Sequence, residues 1–224
     1  MNKKNKGKVV VSWTGGKDGC FACYKAISEG YDVSYLLNFR DTKRHRSHEI
    51  NPGLLNAQSE VIAIPIIQIG FESYEQEFKK VIRNLNEHGS GIEGAVFGHI
   101  ETHKALVDRI CRDLDLKLLL PLWKQNSEQI ITDFVEAGFE AIIVSARANL
   151  FDKEWLGLKI DKEFVSDLRS YNNAIDPCGE NGEFHTFVID GPMFKKRLTI
   201  VKSEMISRDG HWFMDISEFA TEEK

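Results

Sequence analysis

Apolar residues follow two alternating rhythms along the first half of the chain: short continuous runs, and longer stretches with helical spacing. Lys8 to Trp13, centred on Val9, Val10 and Val11, reads as a buried strand; Cys20 to Glu29 reads as a helix stopped by Gly30; Val33 to Asn38 is the next strand. Asn51-Pro52 supplies an N-cap and a proline at the first helical position, opening a helix to about Ala63, after which Pro65 resets the chain into a strand at Ile66 to Ile69. Phe78, Val81, Ile82 and Leu85 share one face of a helix over Tyr74 to Leu85. Ala95 to Phe97 is a short strand before Gly98, and Leu106 to Leu114 is helical. Strict alternation of strand and helix implies an α/β fold with a parallel sheet and helices on its faces.

From Pro121 the rhythm loosens. A helix near Glu128 to Gly138, a strand at Ala141 to Val144 and a helix near Lys162 to Tyr171 precede three alternating runs, Phe184 to Ile189, Arg197 to Val201 and His211 to Ile216. A turn at Asp209-Gly210 separates the last two. The pattern predicts a parallel-sheet domain over residues 1–120 and a smaller α+β domain over 121–224. Arg40 to Asn51, with Arg40, Lys43, Arg44, His45, Arg46 and His48, has no core face and reads as a cationic loop at the carboxyl edge of the sheet.

A length of 224 residues with 42% hydrophobic content suffices for a real core. The balance of 29 basic against 34 acidic residues, a net charge of -5, gives no general attraction for a phosphate polymer, so direct nucleic-acid binding is not expected. No uncharged apolar stretch approaches the roughly 18 residues of a membrane span. The apolar run behind the basic N-terminus is broken at Gly15-Gly16-Lys17-Asp18, too early for a signal peptide. Four cysteines are too few for a disulfide scaffold, which points to the cytoplasm.

The chemistry concentrates in two segments. In the first, Ser12-Trp13-Thr14-Gly15-Gly16-Lys17-Asp18-Gly19 leads from the first strand into a helix at the sheet edge where open α/β folds bind ligands. Gly15 and Gly16 allow a sharp turn and close backbone approach, while Ser12, Thr14, the amides opening the helix and the Lys17 ammonium would surround an anion. Neither the Gly-x-x-x-x-Gly-Lys-Ser/Thr nor the Gly-x-Gly-x-x-Gly pattern is present. The spacing resembles instead the Ser-Gly-Gly-Lys-Asp-Ser signature of the PP-loop ATP pyrophosphatases, with Thr14 in place of the first serine and Gly19 in place of the last.

The second segment, Cys178-Gly179-Glu180-Asn181-Gly182-Glu183-Phe184-His185-Thr186-Phe187, is a glycine-punctuated acidic loop entering a strand, followed by Pro192-Met193-Phe194-Lys195. Together the two segments resemble the diphthine–ammonia ligase family, in which a PP-loop domain precedes a Glu-Gly-Gly-Glu-x-x-Thr-Phe segment and a Pro-x-Phe-Lys stretch. The likeness runs from about Lys8 to Lys196 and takes in Gly94 to Gly98, Pro121-Leu122-Trp123 and Trp155-Leu156-Gly157. Asn181 replaces a family glycine, and His99-Ile100-Glu101-Thr102-His103 replaces a Ser-x-Tyr-Gln-type run.

The resemblance implies an adenine nucleotide alpha hydrolase-like, Rossmann-like N-terminal domain and an ATP-dependent, AMP-forming amide ligase. The substrates would be ATP, ammonia and a carboxylate, in the named family that of diphthine, a modified histidine on elongation factor 2. Ser12, Thr14, Gly15, Gly16, Lys17, Asp18, Gly19, His48 and Gly98 would bind the nucleotide, with Lys17 and Asp18 catalytic and Asp18 the candidate ligand for Mg2+. Glu180, Gly182, Glu183 and Thr186 would hold the acceptor or ammonia, in an acidic site separate from the phosphate site. A different carboxylate acceptor, a tRNA-modifying PP-loop enzyme and a non-catalytic ATP sensor stay open, as does a homodimer.

Two further patterns are weighed on their residues. Cys20-Phe21-Ala22-Cys23 has redox spacing, but both thiols fall on the helix behind the glycine loop and fit buried packing better. His99 and His103 are four apart, without an evident third metal ligand, and fit the nucleotide edge or the surface better.

Overall fold

The computed structural model describes residues 5–42 and 50–224. In chain order the elements are β1 (Lys8–Ser12), α1 (Lys17–Glu29), β2 (Asp32–Asp41), α2 (Pro52–Ile62), β3 (Ile66–Phe71), α3 (Tyr74–Glu87), β4 (Ile92–Val96), α4 (Lys104–Asp113), β5 (Lys117–Leu119), α5 (Ser127–Glu136), β6 (Glu140–Arg147), α6 (Phe164–Tyr171), β7 (Phe184–Asp190), β8 (Lys196–Arg208) and β9 (His211–Glu223). They form a mixed α/β chain with one parallel and one antiparallel sheet. Two compact units result. The first takes in the chain to Thr14, the segment beginning at Asp18, and Ile64–Lys124; the second takes in Gly15–Lys17, the segment ending at Ala63, and Gln125–Lys224.

The first unit is built on a five-stranded parallel sheet in the order β3-β2-β1-β4-β5. Val10, Leu37 and Ala95 from the sheet pack with Phe78, Val81 and Ile82 of α3 and with Val107, Ile110 and Cys111 of α4. The α3 residues are positions whose spacing marked a buried face, and each large side chain so buried contributes about 1.5–3 kcal/mol. Stacked rings Phe39, Phe78, Phe97 and His99 run in series, with centroid separations of 5.6, 5.6 and 5.8 Å. The expected cationic loop begins later than its composition suggests, because Arg40 and Asp41 extend β2 beside Gly70 and Phe71 of β3. His48 and its cationic neighbours Lys43 to Arg46 lie outside the described residues.

The second unit holds a four-stranded antiparallel sheet in the order β7-β6-β9-β8. Asp209 (φ 50°) and Gly210 (φ 75°) form its β8–β9 turn; two consecutive positive φ values are what a two-residue hairpin with right-handed strand twist requires. Both strands run 13 residues, well past the five or six that alternation marked. Their outer parts expose Val201 and Met205 and so carry no core pattern. Helix α2 packs against β8 and β9, and it is capped as its first residues predict, with the Asn51 side chain accepting from Gly53 N–H at 2.8 Å.

Candidate active site

Chain reversal places the first unit's ligand edge. Strands β2 and β3 extend the sheet on one side of β1, and β4 returns to the other side, so the carboxyl ends of β1 and β4 flank the switch point where open α/β sheets bind ligands. Ser12 ends β1 and pairs its hydroxyl with Tyr74 Oη at 3.2 Å; burial pushes the Tyr74 phenol up to about 12, so it stays protonated. Trp13 is buried, donating its N–H to Leu37 O at 2.8 Å and accepting from Asn38 Nδ2 at 2.9 Å through its carbonyl. Thr14 is exposed.

Gly98 follows β4. A Cβ there would lie 2.6 Å from the Asp18 carbonyl carbon and 2.8 Å from both Asp18 O and Gly19 N, so the end of β4 touches the first turn of α1 backbone to backbone. Asp18 and Gly19 are half-buried in that turn. The His99 ring stacks on Phe97, and its Nδ1 has no hydrogen-bond partner among the described residues. Burial, with the neighbouring His103 as a smaller cause, pushes His99 down to about 4, leaving a neutral ring at physiological pH. The two histidine centroids are 5.4 Å apart. Among the described residues, no three His, Cys, Asp or Glu side chains cluster as a metal site would require.

Gly15 to Lys17 pack in the second unit. Gly15 is buried at φ 78°, and its carbonyl accepts from Val188 N–H at 2.9 Å and from Gln58 Nε2 at 3.1 Å. Lys17 starts α1, three residues ahead of the helix start at Cys20 that the sequence suggests, because two glycines in the loop and another at Gly19 hide the helical pattern. Its backbone N–H donates to Thr186 Oγ1 at 3.1 Å. The Lys17 side chain is 2% exposed; its ammonium donates to Cys178 O at 2.5 Å and lies 5.9 Å from the Phe184 ring centroid.

The acidic loop is organised from within. Asp176 accepts from Cys178 N–H (2.8 Å) and Glu180 N–H (3.3 Å) through Oδ1 and from the Ser127 hydroxyl (2.8 Å) through Oδ2. Glu183 is 5% exposed and accepts from Asn181 N–H and Asn181 Nδ2, both at 2.9 Å. Arg147 closes the loop from β6, donating through Nη2 to Asn181 O at 2.6 Å. Gly179 and Gly182 take positive φ within it, and Glu180 remains half-buried. Thr186 and Cys178 of the second segment bind the backbone and ammonium of Lys17, so the two sequence segments meet at this residue.

The sequence profile of the diphthamide synthase N-terminal domain matches residues 7–118, and that of the diphthamide synthase C-terminal domain matches residues 126–221. The chain belongs to the diphthamide synthase family. It is 25% identical over 244 residues to the diphthine–ammonia ligase of Rattus norvegicus, an alignment covering 94% of this chain and 89% of that one. It is 27% identical over 230 residues to the diphthine–ammonia ligase of Schizosaccharomyces pombe, covering 89% of this chain and 37% of that one. A solved structure described as a "predicted subunit of tRNA methyltransferase" from Methanocaldococcus jannaschii superposes with a TM-score of 0.45 at 14% identity, covering 83% of this chain and 97% of that one.

Within this diphthamide synthase family member the geometry adds residues that motif spacing passes over. Gln58 interrupts the apolar stripe of α2, and Asn38 is a polar residue near the end of a buried strand; either irregularity was legible as a signal. Tyr74 and Arg147 carry no such mark. In the family fold the Cys20-x-x-Cys23 pair is fully buried on α1. Burial, then Cys23 and Asp18, hold the Cys20 thiol well above its usual range, and burial pushes Cys23 up to about 12, the reverse of a reactive redox pair.

Proposed function

We propose that this chain is an ATP-dependent amide ligase acting on diphthine of elongation factor 2. The carboxylate oxygen attacks the α-phosphorus of ATP and expels pyrophosphate; ammonia then attacks the acyl carbon of the adenylate, and AMP and a proton leave as the amide forms. The observation that carries this reading is the direct bonding of the two sequence segments, with Lys17 of the glycine loop held by Thr186 and Cys178. It matches a reaction in which a nucleotide and an acceptor must be held for one displacement.

The roles follow from the chemistry of the groups. The Lys17 ammonium, with the positive end of the α1 dipole, holds the leaving pyrophosphate. Ser12, Thr14, Gly98 and Gly19 shape the nucleotide edge, and Glu180, Gly182 and Glu183 shape the acceptor loop. Asp18, one half-buried carboxylate beside the loop, suits Mg2+, which keeps several waters and rides on substrate phosphates rather than in a protein cage. Mg2+ would neutralise phosphate charge there. Residues 1–120 carry most of the nucleotide chemistry and 121–224 the acceptor, in the cytoplasm, where the four cysteines, none in a disulfide, stay reduced.

The test incubates purified protein with ATP, Mg2+, ammonium and either diphthine-bearing elongation factor 2 or a panel of small carboxylates. AMP and pyrophosphate in equal amounts are expected, with the factor as the preferred acceptor. Formation of ADP and phosphate would overturn the mechanism, ATP binding with no turnover on any acceptor would favour the sensor, and saturable tRNA binding at physiological salt would favour the tRNA-modifying reading.

A further inference from the structure

Gln58 sits on the buried side of α2 among Leu54, Leu55, Val61 and Ile62 and is 0% exposed. A leucine would satisfy the packing there. A buried amide is costly unless its polar atoms are bonded, so its hydrogen bonds carry the reason for its presence. Nε2 donates to two carbonyls, Gly15 O at 3.1 Å and Val188 O at 2.8 Å, and thereby ties the glycine loop to β7.

The tie has a definite geometric result. Gly15 O is gripped from two sides, by Gln58 Nε2 and by Val188 N–H. In a trans peptide the carbonyl and the following N–H point in opposite directions, so anchoring Gly15 O toward Gln58 and β7 turns the Gly16 N–H away from both. Thr186 Oγ1 fixes the next peptide by accepting from Lys17 N–H. The fit is close: a Cβ on Gly15 would lie 2.8 Å from Leu55 Cδ2 and 2.9 Å from Gln58 Oε1.

We infer that Gln58 is a positioning residue for the glycine loop, setting the Gly15–Gly16 peptide so that the Gly16 amide faces the polyphosphate of ATP, and that Thr186 does the same for the Lys17 peptide. Thr186 thus serves the nucleotide rather than the acceptor. The inference rests on the glycine loop being the ATP site. It adds two residues that touch no phosphate themselves and act through the backbone they hold.

Calorimetric titration of the full chain with MgATP tests it, using wild type, Gln58→Leu, Thr186→Val and Thr186→Ser, each with its melting temperature. Gln58→Leu and Thr186→Val are expected to weaken ATP binding about tenfold, as buried groups left unbonded would, while melting within a few degrees of wild type. Thr186→Ser, which restores the hydroxyl, is expected to bind as wild type does. Unchanged affinity in Gln58→Leu and Thr186→Val beside a binding wild type would overturn the inference alone. Absence of ATP binding by wild type would overturn the ATP site itself. Should Gln58→Leu fail to fold, the valine and serine variants of Thr186 decide.

Discussion

The ammonium of Lys17 donates to the backbone carbonyl of Cys178 at 2.5 Å, joining residues 161 positions apart in sequence. With 2% of the residue exposed and the Phe184 ring beside it, this cation has given up most of its water. A charge so placed gains strongly from an arriving anion, because charge-assisted bonds strengthen where solvent is excluded.

Replacing Lys17 by alanine is therefore expected to lower AMP release by about 100-fold or more, the usual loss when one preorganised charge-stabilising donor is removed. Lys17→Arg restores the charge without the compact ammonium and should recover little, since a planar guanidinium does not fit the same carbonyl. Steady-state AMP formation in both variants, beside wild type, checks this.

Gly98→Ala should destabilise the protein by about 1–3 kcal/mol, the typical cost of forcing an extra methyl into packed surroundings. The atoms in its way are the backbone of Asp18 and Gly19, which cannot swing aside as a side chain would. Urea unfolding of the two proteins measures the difference, and a midpoint equal to wild type would show that the end of β4 is not in contact with α1.

His99 gives the acid limb of stability a specific source. Its folded value of about 4 lies below the ordinary 6.5, so between these pH values the unfolded chain binds a proton that the folded chain refuses. Stability is then present above 6.5 and falls as the pH drops toward 4. His99→Phe should flatten this part of the curve of melting temperature against pH, and the His99 ring protons should not titrate by NMR above pH 5.

The buried thiols act on the alkaline side. Cys23 at about 12 against an ordinary 9.0 keeps its proton when the unfolded chain loses one, so stability falls as pH rises from 9 toward 12. At pH 8, iodoacetamide should leave Cys20 and Cys23 unlabelled in the native protein and label both in urea, read by mass spectrometry. Cys20→Ala should retain turnover; a loss equal to that of Lys17→Ala would return the pair to a redox role.

The first 120 residues were readable because parallel strands buried on both faces appear as unbroken apolar runs, such as Val9 to Val11, and the helices between them show one apolar face. β5 escaped because three residues, Lys117–Leu119, are too few to establish a period. The outer parts of β8 and β9 escaped because residues such as Lys202, Glu204 and Glu218 pack against no core and alternation has nothing to record. Both chemical segments were legible from glycine spacing and charge. Their bonding to one another was not, since hydrogen bonds that Gly15 accepts and Lys17 donates across to residues beyond 170 leave no local trace. The hydrogen bonds that Glu183 accepts from Asn181 within its own loop likewise carry no mark in the spacing.

Helix α2 also sets a timetable for synthesis. It ends at Ile62, and β8, against which it packs, begins at Lys196, so 133 residues lie between the helix and that strand. At about 5–20 residues per second the ribosome takes roughly 7–27 s to bridge that gap. Throughout that interval Leu54, Leu55, Val61 and Ile62 form an apolar stripe on a nascent chain, the kind of surface that chaperones hold. A chain truncated before Lys196 lacks both strands against which α2 packs, β8 and β9.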